Sequence, residues 1–385
     1  MTGEPTADAR ARVVLARLVE PGSWPVHRAV AQRGAEDVAA ALAAGAGLPD
    51  LPAPTAAAAQ ERARGLDVDA ELAALHACGG RLLVPGDDEW PEARLHWSWS
   101  GKDLAAPPLH LQLRGPGRLD ALAERAVAVV GARAATSYGA HVAQELALGL
   151  ADQGHPVVSG GAYGVDAAAH RGALASAAGA TVAVLACGVD VAYPRGNDRL
   201  LGRIAATGLL VSEQAPGASP TRRRFLVRNR LIAALSRGVV VVEAAVRSGS
   251  LSTAHRAHDL QRLVMAVPGP VTSALSAGCH ALLRADAPAA LVTGVGEVVA
   301  LVGEPGEGAL CDVRAPARLH DGLAADVRAV LEAVPVRGGA GEATVARAAG
   351  VAVLTVQMVL PELLVAGLVR RSDTGWVLTP LGQGR

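Results

Sequence analysis

Ser159-Gly160-Gly161-Ala162-Tyr163-Gly164-Val165-Asp166 follows directly on the short apolar run Pro156-Val157-Val158. A strand that empties into a glycine-rich loop, with a helix starting behind it, builds an anion site. Glycine lets the backbone take positive φ and approach a ligand closely, while the first turn of the next helix offers free N–H groups at the positive end of its dipole. The reading predicts a phosphate-bearing ligand. A second loop of this kind lies upstream, where Ala126-Val127-Ala128-Val129-Val130 runs into Gly131-Ala132-Arg133-Ala134-Ala135-Thr136-Ser137-Tyr138-Gly139. In an open parallel sheet ligands bind beyond the carboxyl ends of the strands, so both loops are expected at one crevice.

Outward from these loops a β/α alternation continues. Strand-like runs stand at 126–131, 156–159, 181–187, 208–212, 238–243 and 263–267, with alanine-rich helical stretches at 141–153 and 167–178 between the first three. Stretches of that length suit right-handed crossovers. The pattern predicts an α/β fold: a Rossmann-like, doubly wound, mostly parallel sheet. Residues 1–78 read as an N-terminal helical, SAM-like domain with a proline- and alanine-rich break at 48–54, and residues 79–300 as the Rossmann-like core. Within the core, 81–115 carries Trp90, Trp97 and Trp99 and reads as an extension wrapped on the sheet. A linker is expected at 301–317, around Gly303-Glu304-Pro305-Gly306-Glu307-Gly308. Residues 318–385 then give helices at 323–334, 342–349 and 354–366 and a hairpin from 368–371 with 375–379, which is a winged-helix order.

Familiar nucleotide chemistries lack required parts. A Walker A loop needs a lysine after its last glycine, and the only lysine, Lys102, is far from either loop. A dinucleotide site wants G-x-G-x-x-G and an acidic ribose ligand; Gly131-Ala132-Arg133 and Ser159-Gly160-Gly161 stand instead. Arginine after the first glycine suits a polyanion better than a ribose diol. The charges balance, with 36 basic and 36 acidic residues, so any nucleic-acid site must be local. Cys78, Cys187, Cys279 and Cys311 form no C-x-x-C pair, and His255-x-x-His258 has no third ligand at a recognisable spacing, so neither zinc nor disulfides are indicated. The uncharged stretch 172–189 is long enough to raise the question of a membrane span, but it reads as a helix end, a stop at Gly179 and a buried strand. The N-terminus has no signal-peptide core, and a cytoplasmic protein is the simplest reading.

The densest positive charge is Arg222-Arg223-Arg224-Phe225-Leu226-Val227-Arg228-Asn229-Arg230, with no acidic residue. Arginines together with loop N–H groups can hold several phosphates in a row, as a nucleic-acid backbone demands. Phe225 and Tyr163 are candidate stacking platforms for bases. The third C-terminal helix, by contrast, carries no arginine and one glutamate, Glu362, which favours protein contact or packing over duplex reading.

These residues resemble the bacterial DNA-processing protein A family (DprA, also called Smf). The matching segments are 131–139, 159–166, Ala169-His170 with Ala173-Leu174, Tyr193-Pro194 with Asn197, 228–233, 241–244 with Ser248-Gly249-Ser250, and Val267-Pro268-Gly269, in matching order and spacing over roughly residues 80–290. The resemblance implies a non-enzymatic, dimeric mediator of natural transformation. It would bind incoming single-stranded DNA without sequence preference and help load RecA recombinase, displacing single-strand-binding protein, with no cofactor. Carried over, the single-strand site falls on Arg133, on Ser159, Gly160, Gly161, Tyr163 and Gly164, on Arg228, Asn229 and Arg230, and on Ser248, Gly249 and Ser250. Two positions depart from the family pattern: Tyr163 stands where a basic residue is frequent, and His280 where the S-x-G-x-N segment has asparagine. Weaker or more pH-dependent binding is the expected consequence. Asp166 and Glu243 read as a helix-start cap and a hydrogen-bond partner rather than an acid/base pair. Two rival readings are a LOG-type phosphoribohydrolase, whose loop threonine and glutamate have no counterpart in Gly164-Val165-Asp166-Ala167, and a transcription factor working through the C-terminal helices.

Overall fold

The structure, a computed structural model, describes residues 4–98, 104–177, 179–304 and 323–382. Most of the expected linker, from 305 onward, and Trp99, Lys102 and Cys311 lie outside the described residues. The chain forms two compact units, Met1–Cys311 and Asp312–Arg385.

The first unit is built on nine strands: β1 (Gly80–Leu83), β2 (Leu111–Arg114), β3 (Val127–Val130), β4 (Val157–Ser159), β5 (Thr181–Val184), β6 (Leu209–Ser212), β7 (Gly238–Val241), β8 (Leu263–Ala266) and β9 (Ala290–Leu291). Their order in the sheet is β1-β2-β6-β5-β4-β3-β7-β8-β9. From β6 to β9 all neighbours are parallel, whereas β1 and β2 close one edge antiparallel. The parallel strands are continuous apolar runs because helices cover both faces. In β3, Ala128 and Val130 enter one core and Val127 and Val129 the opposite one, the period-two alternation of a strand. Strands β3 to β6 are laid down in one direction and β7 to β9 in the other, so the topological switch falls between β3 and β7.

The six strands read from sequence are all present, and the fold is Rossmann-like and doubly wound. The segment 81–115 does more than wrap the sheet, since it contributes β1 and β2. Four-residue antiparallel edge strands, with no crossover helix between them, lack the β/α alternation by which the others were found. The stretch 172–189 divides into the end of the helix Val165–Ala173 and β5. Among the described residues no single helix is long and apolar enough to cross a membrane.

Five helices, Ala7–Leu18, Trp24–Arg33, Ala35–Ala43, Ala53–Ala63 and Val68–Ala77, precede the sheet. The first four enclose a core of their own around Leu15, Leu18, Val38 and Leu42. They are tied to the sheet region by polar contacts. Trp24 Nε1 donates to Leu104 O at 2.7 Å, Ala106 N donates to Gly22 O at 3.0 Å, and Arg224 pairs with Glu20 at 2.8 Å.

The helix Arg222–Ala234 also carries Arg230, which is fully buried. Its guanidinium meets the Glu213 carboxylate through two bonds of 2.7 and 2.8 Å, and its Nε donates to Ala106 O at 2.9 Å. Arg230 is therefore no phosphate ligand, contrary to the sequence reading: its donors join β6, this helix and the segment leading into β2.

The second unit has three helices, Ala325–Ala333, Glu342–Ala349 and Val353–Val365, and a hairpin of β10 (Val369–Ser372) and β11 (Gly375–Leu378). Leu331, Val345, Leu360 and Trp376 share its core. Gly350, at φ 69°, ends the second of these helices in the left-handed conformation that glycine adopts without strain.

Two predictions follow from these ties. Replacing Arg230 by alanine leaves the Glu213 carboxylate buried without its partner and should cost roughly 3–5 kcal/mol, read by urea denaturation. Glu20 is held below its ordinary range, chiefly by its hydrogen bonds from Arg224. Its stabilisation is thus fully present above the unfolded value near 4.5 and is lost as pH falls through the lower folded value. E20Q should melt below the wild type at pH 7 and together with it once Glu20 is protonated.

Candidate nucleic-acid interface

A cleft of about 810 Å³ opens at the switch point. Gly131, Ala132 and Arg133 enter it from the loop after β3, Ala162 and Asp166 from the loop after β4, and Arg247, Ser248 and Ser250 from the loop after β7. The helix Arg222–Ala234 forms its outer wall. Arg222, Phe225, Asn229 and Ile232 recur at three- and four-residue spacing and face the cleft, as one face of a helix must. Arg230 falls off that face and into the core.

Thr221 starts this helix, its Oγ1 accepting Arg224 N–H at 3.3 Å. Three arginines then occupy the first turn with no acidic residue, although cations at a helix N-terminus oppose its dipole, at about 0.3–1 kcal/mol each. Arg224 is neutralised by Glu20, but Arg222, Arg223, Arg133 and Arg247 are exposed and make no ion pair among the described residues. The Arg133 guanidinium lies 4.7 Å from the centroid of the half-buried Phe225 ring, and the Tyr193 ring centroid stands 5.7 Å from it.

A second helix start, Gly249–Asp259, points into the cleft, capped by Ser248 Oγ, which accepts Ser250 N–H at 3.4 Å. Asn229 Nδ2 donates to Gly249 O at 3.3 Å and fixes this end against the arginine helix.

The glycine loop plays a different part from the one its sequence suggests. Its anion is internal. The buried Asp166 carboxylate accepts Ala162 N–H at 3.3 Å. Burial raises the Asp166 pKa, with Arg228 and this bond opposing the rise. Arg228 donates to Gly160 O at 2.8 Å and to Val184 O, and burial lowers its pKa to about 10. A Cβ on Gly160 would lie 2.7 Å from both terminal guanidinium nitrogens of Arg228 and from Asp166 Oδ2. Only glycine lets the backbone pass between them.

Of the residues expected at the site, Arg133, Arg228, Asn229, Ser248, Gly249 and Ser250 line the cleft. Ser159, Gly160, Gly161, Tyr163 and Gly164 do not. Ser159 is fully buried, with its hydroxyl on Val129 O at 2.7 Å; Gly161 O accepts from Asn197 Nδ2 at 2.9 Å; and Gly164 turns the chain under Ala132 at φ 75°. Tyr163 is 48% exposed but sits over the neighbouring loop, its Oη accepting Gly196 N–H at 3.2 Å. His280, in the helix Ala277–Leu283, has its Nε2 3.1 Å from Gly269 O of the loop after β8, away from the cleft lining. Glu243 accepts Thr136 N–H at 2.9 Å and the Thr136 hydroxyl at 2.6 Å, and so holds the start of the helix after β3. Arg222, Arg247 and Tyr193 were missed as site residues. Helical spacing through 222–229 was the signal for the first, and adjacency to Ser248 the signal for the second.

A doubly wound sheet whose switch-point cleft is edged by arginines without ion pairs and by a phenylalanine defines a Rossmann-like protein with a cationic, partly aromatic cleft. The model of the family described as DNA recombination-mediator protein A matches residues 81–303. A putative DNA processing protein DprA of Mycobacterium tuberculosis is 50% identical over 320 residues, 82% of this chain and 81% of the relative. The DprA of Streptococcus pneumoniae is 42% identical over 204 residues, 53% of this chain and 70% of that protein. The X-ray structure of the S. pneumoniae protein superposes with a TM-score of 0.62 at 32% identity, covering 78% of this chain and all of the other. The chain belongs to the DNA recombination-mediator protein A family, DprA/Smf, and its role is that of a recombination mediator in natural transformation.

Gly160 offers a direct check on the buried knot. G160A should lose roughly 1–3 kcal/mol in urea denaturation, because the new methyl group must displace Arg228 or Asp166. G202A, in an exposed helical position with open space around it, should gain up to about 1 kcal/mol in the same assay.

Proposed function

We propose that the cleft holds single-stranded DNA without reading its sequence, and that the protein offers the bound strand to RecA recombinase. The observation that carries this reading is the pairing of exposed, unpaired Arg133, Arg222 and Arg247 with the Phe225 ring in one cleft. Guanidinium groups suit successive phosphates, and a ring face serves only bases that are free of a duplex stack. Asn229, the amide side chain best placed to read a base edge, already donates to Gly249 O. Arg228, Ser248, Gly249 and Ser250 complete the contact surface, with Ser159, Gly160, Gly161 and Gly164 as its support.

No chemistry is assigned to the site. Asp166 is occupied by the Ala162 N–H and the nearby Arg228 and Glu243 by Thr136, which leaves neither carboxylate placed as a general base. Nucleoside monophosphates incubated with the protein should therefore release no free base.

In this reading the protein works as a cytoplasmic homodimer that displaces single-strand-binding protein. Residues 1–78 form its SAM-like domain, and 318–385 form a winged-helix domain that contacts protein rather than duplex DNA. On the third C-terminal helix Leu354 and Met358 are exposed and no arginine is present, which supports a protein contact.

Fluorescence anisotropy with labelled oligo-dT tests the site. R133A and R222A should each weaken binding and each lower the slope of log affinity against log salt by about 0.7 per lost phosphate contact. F225A should cost roughly 1–3 kcal/mol, and deletion of 318–385 should leave oligo-dT affinity unchanged. Wild-type affinity and slope in both arginine variants would place the strand elsewhere.

A further inference from the structure

The single phenylalanine and all three tyrosines of this chain stand at the carboxyl edge of the sheet. Tyr138 begins the helix after β3, Tyr163 lies in the loop after β4, Tyr193 in the loop after β5, and Phe225 in the helix after β6. These four strands are consecutive neighbours in the sheet. In a chain that is half apolar, rings used only for packing belong inside, as Trp90 and Trp376 do at 7% exposure. The three tyrosines are instead 40–48% exposed. Tyr138 ties its hydroxyl to Pro268 O at 2.7 Å, on the β8 side. The other two continue from Phe225 in the opposite direction. Tyr193 lies 5.7 Å from Phe225, and three residues further on Gly196 donates to Tyr163 Oη.

The Tyr193 loop is held rigidly against the glycine loop. Buried Asn197 donates to Gly161 O and Ala162 O at 2.9 and 3.1 Å, and the Tyr163–Gly196 bond closes the other end. Arg195 lies in sequence between Tyr193 and Gly196, the residue that donates to Tyr163, and is exposed with no ion pair among the described residues. Three rings and one cation thus share a support that is hydrogen-bonded to the glycine loop. Phe225 and Tyr193 line the cleft, so the row starts at the cleft wall and carries the same chemistry beyond it to Arg195 and Tyr163.

We propose that the strand path continues beyond the cleft over the 193–197 loop. Tyr193 stacks the base next to the one on Phe225, Tyr163 takes a base further along, and Arg195 meets a phosphate. This rests on the single-strand reading of the cleft and extends it from a pocket to a track. Phe225, Tyr193 and Tyr163 follow β6, β5 and β4, which are neighbours in the sheet, so the rings come in that order along its carboxyl edge.

The test uses the full chain and oligo-dT of two lengths, one short enough to fill only the cleft and one long enough to cross the loop, each with a single 2-aminopurine as a stacking reporter. Y163L should weaken the long oligonucleotide roughly fivefold or more, spare the short one, and abolish reporter quenching at the outer position, whereas Y193L, at a residue that also lines the cleft, should weaken both lengths. Y163F keeps the ring and loses the bond to Gly196, so it should bind the long strand as the wild type does and Y163L should not. Unchanged long-strand affinity and quenching in Y163L and R195A, with R133A and F225A still impaired, would overturn the track and leave the cleft standing. Equal loss in Y163F and Y163L would overturn the stacking role of Tyr163, since the hydrogen bond alone would then account for it. Wild-type binding in R133A and F225A would instead remove the cleft reading itself.

Discussion

The Arg228 guanidinium lies buried beneath the 159–166 loop, and a buried cation has to be met by oxygen on the sides it presents. Gly160 O and Val184 O accept from Nη1 and the Asp166 carboxylate lies nearby, while Nε is buried without a hydrogen-bond partner. Each of these oxygens comes from a different place in the fold: the loop after β4, the end of β5 and the start of the helix Val165–Ala173. One guanidinium therefore sets the relative heights of β4 and β5 and draws the arginine helix over the carboxyl edge of the sheet. The cleft owes its outer wall to that placement, because Arg222, Phe225 and Asn229 ride on the same helix as Arg228.

Two residues along that helix, Arg230 points the other way. Positions two apart on a helix do not share a face, so one arginine anchors the glycine loop while the other locks onto Glu213 and Ala106 O. Arg224 adds a third attachment, to Glu20 in the N-terminal helices. A run of arginines that looks like one basic patch is thus divided by helical geometry. Arg224, Arg228 and Arg230 hold the fold, and Arg222 and Arg223 keep their charge for solvent or a ligand. Had all of them faced one side, like charges would have crowded at the positive end of a helix dipole with no compensation.

The loop 159–166 shows how an anion-binding design can serve the chain itself. Free N–H groups at a strand-to-helix turn attract a carboxylate as readily as a phosphate. Asp166 is tethered at the site, so it needs no binding from solution and occupies the cradle first. The external polyanion is left to side-chain arginines and to the second helix start at Ser248, where no acidic residue lies in the first turn.

How far the sequence reached depends on the range of the forces involved. Runs such as Val127–Val130 and Thr181–Val184, separated by helices of crossover length, specify a parallel doubly wound sheet, because period and burial are local properties that the residue pattern carries directly. The two loops at its carboxyl edge, the presence of a basic segment and the family were legible for the same reason. Edge strands β1 and β2 were not, since a four-residue antiparallel strand is defined by its distant partner rather than by its own pattern. Nor was the sorting of the arginines. Whether a guanidinium is buried or free depends on what lies across from it, and Glu213, Gly160 O and Glu20 are 17, 68 and 204 residues away from the arginines they meet. The sequence by itself determined the sheet, the loops and the charge; only the tertiary structure decided which charges remained available, because pairing is a property of positions brought together by folding.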